Sequence, residues 1–300
     1  MITIMGGEPL LMKNYTAIYK ILQQANKNGY SYNLITNGVN LDKFVDLFIK
    51  YPCETIQITV DGSKPIHDSR RMFKGGSGSF DLIMQNVKIA IKNDIKITLR
   101  VNLDDQNVHD LVKLAQYIQN EFICLDNLHI YAYPIQDGGC LGQKNIISEE
   151  ELIDKVLQQK KKHAELCIFD FYFHGHELLN SIFNNKNYLV KIKNCAAFAN
   201  QYIFDYSGNI YKCWFGVGNN NFKIGSYISD FTLNEKIDKM WKSRNIKTLK
   251  KCTDCKYRFI CGGECLSHIY ETSDDINKER CVDFYKIIDS QLLQYKEFYA

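Results

Sequence analysis

The sequence predicts an α/β fold, a parallel sheet followed by a smaller cysteine-rich module, and three observations carry that prediction. Up to about Pro134, short apolar segments alternate strictly with amphipathic ones. The links between them are short, and strand–helix order with short links gives a parallel sheet, open or closed into a barrel. Beyond residue 190 the cysteines crowd together.

The strands come first. Ile2–Met5, Tyr32–Thr36, Thr55–Val60, Lys96–Leu103 and Asn127–Pro134 are rich in Ile, Leu, Val, Thr and Tyr and short enough for buried strands. Between them, Tyr15, Ile18, Tyr19, Leu22 and Ala25 keep helical spacing, as do Phe44, Leu47 and Phe48 and the stretches 80–91 and 108–118. Ser79 and Asn107 stand at N-cap positions, and Gly29 marks a helix end. Functional groups of parallel sheets gather at the carboxyl ends of the strands. Those ends read Gly6-Gly7-Glu8-Pro9, Thr36-Asn37-Gly38, Asp61-Gly62, Asn102 and Tyr133-Pro134, all polar or glycine-bearing.

Residues 135–190 read as a connector. Gly138, Gly139 and Gly142 form a flexible stretch, and Ser148 with Glu151 makes a capping box for a helix through about Lys162. Lys160, Lys161 and Lys162 form a solvated helix end. His174 and His176 read as alternating strand positions with a structural role. Residues 191–300 open with a hairpin, Tyr202–Phe204 and Ile210–Lys212 around Ser207-Gly208-Asn209, and close with an amphipathic helix from Cys281 to Tyr299.

Composition excludes several classes. With 45% hydrophobic and 24% charged residues the chain is globular rather than disordered. Thirty-seven basic against 34 acidic side chains leave a net charge of +3, which gives no argument for nucleic acid or acidic lipid. No apolar run approaches the roughly 18 residues of a membrane span, and no secretory signal opens the chain. A cytoplasmic protein is expected, with its 11 cysteines as thiols, so metal binding outranks a disulfide framework.

The cysteines divide unevenly. Cys53 and Cys124 read as small buried hydrophobes, and Cys140 and Cys167 are scattered. Cys195, Cys213, Cys252, Cys255, Cys261, Cys265 and Cys281 are not, since scattered core residues have no reason to fall two to five positions apart. On the segment Cys252-x2-Cys255-x5-Cys261-x3-Cys265 alone, a zinc ribbon and an iron site are both open. A zinc tetrad leaves Cys195, Cys213 and Cys281 unexplained, and seven thiolates suit two soft-ligand clusters better.

The full pattern, Cys195-x12-Gly208-x4-Cys213, the four-cysteine segment and a lone Cys281, resembles the radical S-adenosylmethionine (SAM) enzymes that carry a C-terminal SPASM domain. The first half is similar as well. Met5-Gly6-Gly7-Glu8-Pro9 matches the family's strand end that holds the methionyl amino group, and Thr36-Asn37-Gly38 the next strand's end. Ile58-Thr59-Val60-Asp61-Gly62, with His67-Asp68 and Arg70-Arg71, looks like its fourth-strand signature, which implies a cofactor contact for Thr59. Arg100 and Asn102 are similar to residues that hold the carboxylate and ribose. Chemistry agrees, because a zwitterionic head needs an acceptor such as Glu8 and a donor such as Arg100. Gly6 and Gly7 permit close backbone approach.

The resemblance implies a (β/α)6 radical SAM barrel over residues 1–134, here partial, and a SPASM domain over 191–300. It implies two auxiliary 4Fe–4S clusters, Cys252, Cys255, Cys261 and Cys281 on the outer one and Cys195, Cys213 and Cys265 on the inner, whose fourth site is open or reached by Cys167. One departure stands out. The family's Cys-x3-Cys-x2-Cys motif for the catalytic 4Fe–4S cluster precedes the Gly-Gly-Glu-Pro turn, yet the first cysteine here is Cys53. The expectation is a shortened copy lacking its first strand and helix, with the catalytic cluster confined to a full-length parent. Sulfatase-maturing relatives carry an Asp after the second inner-cluster cysteine; Trp214 stands there, which argues for thioether or carbon–carbon crosslinking of a ribosomal peptide. Expected partners are a cysteine-rich precursor peptide and a flavodoxin or ferredoxin, with no nucleic acid and no membrane. The competing readings are a non-catalytic remnant that binds clusters and a peptide, a sulfatase-maturing relative, and a zinc-ribbon protein.

Overall fold

The computed structural model describes residues 1–122, 125–135, 147–266, 277–279 and 281–293. Cys124, Cys140, Gly138, Gly139, Gly142 and the end of the expected last helix lie outside these residues.

Six parallel strands form one sheet in sequence order: β1 (Ile2–Ile4), β2 (Tyr32–Thr36), β3 (Thr55–Thr59), β4 (Ile97–Leu103), β5 (Leu128–Pro134) and β6 (Asp170–Phe171). Helices α1 (Tyr15–Lys27), α2 (Val45–Lys50), α3 (Lys64–Arg70), α4 (Phe80–Lys92), α5 (Leu111–Glu121) and α6 (Glu149–Lys160) fill the crossovers. Five strands stand where the alternation put them. The sixth lies in the segment read as a connector, and two residues are too few to show a period-two pattern. Phe169, Phe171 and Phe173 nevertheless enter the main core, beside Leu152, Ile153, Val156 and Leu157 of α6.

The two faces of the sheet differ chemically. In β4, Ile97, Leu99, Val101 and Leu103 are buried among the helices, while Thr98, Arg100 and Asn102 point the other way. Register continues that second face sideways, with Thr59 beside Arg100, Arg100 beside Tyr131, and Asn102 beside Tyr133. A parallel sheet covered on both faces would read as unbroken apolar strands. The alternation instead leaves one polar face, and its carboxyl edge is the candidate site.

Local chemistry sets the element ends. The capping box at α6 forms, Ser148 Oγ accepting from Glu151 N at 3.1 Å. Two other expected caps do different work. Ser79 precedes α4, but its hydroxyl donates to Arg71 O, and α5 begins at Leu111 behind Asp110, which frees Asn107 for the strand ends. His174 and His176 are not alternating strand residues, because Gly175, at φ +83°, starts helix α7 (His176–Phe183) between them.

The C-terminal module is an antiparallel sheet of β7 (Ile203–Phe204), β8 (Asn209–Tyr211), β9 (Lys223–Ser226) and β10 (Thr232–Leu233), with helices α8 (Glu235–Ser243), α9 (Arg258–Cys261) and α10 (Phe284–Leu293). The expected hairpin is β7–β8, and Gly208 turns it at φ +86°. Ala197, Phe198, Ile210, Ile224, Trp241 and Leu266 form its small core. Among the described residues no helix is long and apolar enough to cross a membrane.

Candidate functional site at the strand ends

The rim begins at the end of β1. Gly6 and Gly7 adopt φ +95° and +53°, and open space stands where a Cβ would be. The glycines are thus needed for the left-handed turn, and the turn faces a free volume. Glu8 fastens the turn down. Its carboxylate accepts from Leu10 N at 2.9 Å, from Asn37 N at 2.7 Å and from the Thr36 hydroxyl. Glu8 and Asn37 therefore join the ends of β1 and β2 rigidly, with Pro9 continuing the turn.

A second network closes the ends of β3 and β4. The Asp61 carboxylate pairs with the Arg71 guanidinium and accepts from Asn102 Nδ2 at 3.2 Å. Asn107 Nδ2 reaches both Asp61 O at 3.0 Å and Asn102 O at 2.7 Å, lacing the two strands together. His67 is fully buried; its Nδ1 accepts from Asp61 N at 3.3 Å and its Nε2 faces Ser79 Oγ at 3.0 Å. Because Nδ1 accepts, the ring is neutral with its proton on Nε2, and burial holds its pKa below the usual value.

Arg100 contributes the unsatisfied group. Its Nε is buried with no hydrogen-bond partner, and its guanidinium lies 5.4 Å from the centroid of the Tyr133 ring. A buried donor left open costs free energy unless something accepts from it, so the position suits a carboxylate or another oxyanion. Thr59 is its cross-strand neighbour.

Two features escaped the motif reading. From β5, past the end of β6 to the start of α7, the rings of His129, Tyr131, Tyr172 and His176 stack in series, with centroid separations of 5.8, 5.0 and 4.6 Å. At the edge of the rim, His174 sits between two carboxylates. Its backbone N and Nδ1 both face Glu149, and its Nε2 lies 3.7 Å from Glu264 Oε1. Burial opposes its charge but the two carboxylates prevail, raising its pKa to about 10. Burial, together with the same acids, pushes the Tyr133 phenol up to about 12. In the sequence His174 stood out only as a strand residue with a structural role, and the acids that hold it come from segments 25 residues before it and 90 after, where no local pattern connects them.

The seven C-terminal cysteines fall into two neighbourhoods. Burial raises the Cys252 thiol, and the sulfurs of Cys281 and Cys255 raise it further; Cys252 in turn acts on Cys261, whose pKa burial and Glu264 push to about 12. Cys195, raised by burial, feels Cys265, and both Cys195 and Cys213 pack on the small core. Among the described residues no three His, Cys, Asp or Glu side chains converge on a single metal-ion position. A lone zinc ion, with Zn–S of about 2.3 Å, would need sulfurs within about 4 Å of one another. A polynuclear cluster spreads its thiolates over several metal atoms, and soft thiolate donors suit such a group by their chemistry. Cys167 is exposed and Cys53 half-buried, the latter raised to about 11 by burial, as a small core residue would be.

A parallel sheet with a polar face, a glycine turn and an open arginine at its carboxyl edge makes a strand-end site of an α/β fold whose donors and acceptors suit a small zwitterionic or anionic ligand. Residues 1–118 match the model of the Radical SAM superfamily. Over 285 residues the chain is 24% identical to the cysteine-type anaerobic sulfatase-maturating enzyme of Clostridium novyi (strain NT), spanning 87% of this chain and 71% of that protein. Native anSMEcpe with bound AdoMet and Kp18Cys peptide superposes with a TM-score of 0.67 at 17% identity, covering 99% of this chain and 82% of that one. SuiB of Streptococcus suis bound to precursor peptide SuiA gives 0.65 at 14% identity, over 93% of this chain and 64% of that one. At these identities the two structures establish shared fold.

Proposed function

We propose that the protein is a radical SAM maturase of the peptide-modifying kind whose catalytic Cys-x3-Cys-x2-Cys motif is absent from these 300 residues, with S-adenosylmethionine at the strand-end rim and two auxiliary 4Fe–4S clusters in the C-terminal module. Gly6, Gly7, Glu8, Pro9 and Asn37 form the wall for the methionyl head, Arg100 takes its carboxylate, and Thr59, Asp61 and Asn102 line the ribose side. Cys252, Cys255, Cys261 and Cys281 bind one cluster; Cys195, Cys213 and Cys265 bind the other. The observation that supports this reading is the grouping of six of the seven sulfurs, Cys252, Cys255, Cys261 and Cys281 acting on one another and Cys265 acting on Cys195, with Cys213 packed on the same small core as Cys195. In such a protein a reduced iron–sulfur cluster supplies the electron that cleaves the sulfonium. The chain's own residues bind and orient the cofactor and the peptide.

Trp214 follows Cys213 and cannot accept a proton, which supports crosslinking of a ribosomal peptide over formylglycine formation. The polar face and its aromatic stack form a surface suited to an extended peptide. An electron donor of flavodoxin or ferredoxin type belongs to the same reading. The test is anaerobic purification. Brown protein with iron and sulfide near eight of each supports two four-iron clusters by the stoichiometry of that group; colourless protein holding zinc overturns the proposal. The 300 residues carry no Cys-x3-Cys-x2-Cys, so this chain with a strong reductant is expected to yield no 5′-deoxyadenosine.

A further inference from the structure

We propose that Glu264 and His174 form a positioning couple that fixes the Cys261–Cys265 loop against the barrel and sets the electrostatics of both cysteine groups through one buried carboxylate. The inference rests on the two-cluster reading above. Gly262, Gly263 and Glu264 hold φ of +72°, +93° and +59° in succession. The other non-glycine residues with positive φ among those described, Asp94, Asn185 and Ser229, are exposed turn residues, whereas Glu264 is only 5% exposed. A residue with a long side chain is held in the left-handed region only where its surroundings compel it.

The surroundings do so from three sides. A Cβ on Gly262 would come 2.7 Å from Asn194 N, so this glycine lets the loop pack directly on the residue before Cys195. Gly263 O accepts from Arg244 Nη2 at 2.8 Å, and Arg244 Nη1 also donates to Lys278 O at 3.2 Å, near Cys281. Glu264 turns the opposite way, towards the barrel. One of its oxygens lies 3.7 Å from His174 Nε2 and the other 3.8 Å from Cys261 Sγ. His174 is itself anchored, by Glu149 at the start of α6 and by Gln291 Nε2, which donates to His174 O at 2.9 Å. Both ring nitrogens face carboxylates, an arrangement that an imidazolium with two N–H donors satisfies.

Cys261 and Cys265 belong to different groups in the proposed assignment, and Glu264 stands between them in a chain of five residues. Its charge is therefore close to both, in a low-dielectric setting where a buried charge acts strongly. The Glu264 carboxylate disfavours adding an electron to either group, and the positive charges of His174 and Arg244 beside it act in the opposite direction.

The experiment compares the anaerobically reconstituted full 300-residue chain with Glu264→Gln, Glu264→Asp and His174→Gln, reading iron and sulfide content and the midpoint potential of each cluster signal by electron paramagnetic resonance. Glu264→Gln, which removes a negative charge, is expected to make both clusters easier to reduce by about tenfold, 59 mV for a one-electron couple. His174→Gln, which removes a positive charge, is expected to shift both in the opposite direction, and Glu264→Asp to leave them near wild type. If the Gln variant at 264 loses its iron, a downward shift in His174→Gln still supports the couple. Shifts of the same sign in both charge-changing variants, or none while iron and sulfide stay full, overturn it. A wild-type chain that binds no iron overturns the two-cluster reading, and the inference with it.

Discussion

Arg100 differs from the other charged residues of the rim because part of its hydrogen-bonding capacity is left open. Asp61 has Arg71 and Asn102, and Glu8 has three protein donors, whereas Arg100 Nε is buried and unmatched. A charged donor that gains a charged acceptor on binding contributes about 1.5–3 kcal/mol, or roughly 10- to 100-fold in affinity. Arg100→Gln is therefore expected to weaken S-adenosylmethionine binding by at least about tenfold in titration calorimetry, with little change in the denaturation midpoint. Binding that stays equal to wild type would remove Arg100 from the site.

His67 supports the neighbouring network through its protonation state. Burial lowers its pKa below the ordinary 6.5, so in the acid range the unfolded chain binds a proton that the folded chain resists. Its contribution is thus fully present above about pH 6.5 and lost as pH falls through the folded value. A proton on Nδ1 would also remove the acceptor that Asp61 N uses. Wild type is expected to lose denaturant stability between pH 7.5 and 5.5 more steeply than His67→Gln. Parallel pH profiles of the two proteins would contradict this role.

At the scale of elements, the two faces of the sheet have different jobs and should respond differently to truncation. Leu99 is buried among the helices, whereas Gln57, on the polar face, accepts from Tyr131 OH at 2.9 Å. Leu99→Ala is expected to cost about 2–5 kcal/mol in chemical denaturation, through lost burial plus the cavity left behind. Gln57→Ala should cost about 1 kcal/mol, the worth of one hydrogen bond. The alternation made these faces legible in the sequence, because period-two burial is a local property of each strand. β6 was not legible, since two residues carry no period and their place is set by Phe169 and Phe173 entering the core. Asn107 was misread for a related reason. Its residue type fits a cap, but tertiary contacts with Asp61 O and Asn102 O win over the local helix end.

Across the whole molecule, the two halves are stabilised by unequal means. The sheet and its helices share one continuous core running from Leu10 to Ile287, while the cysteine module has the small group around Trp241, a second around Ile246, Leu249 and Cys252, and a third in which Phe284 and Ile288 meet Leu179. The cysteine spacing was readable as ligand chemistry because ligands are chemically distinctive. The Glu149–His174–Glu264 junction was unreadable because it joins α6, the end of β6 and the cysteine loop only after folding. A module with so little apolar burial depends heavily on whatever its thiols bind, since ligand binding to the folded state adds directly to stability. Stripping bound metal anaerobically with a chelator is therefore expected to speed amide exchange at Ile210, Ile224 and Trp241 by more than tenfold. Leu99 and Val101, in the centre of the parallel sheet, should keep their protection. Equal loss in both halves would mean that the module and the sheet unfold as one unit, and that the junction at His174 couples them more strongly than their separate cores imply.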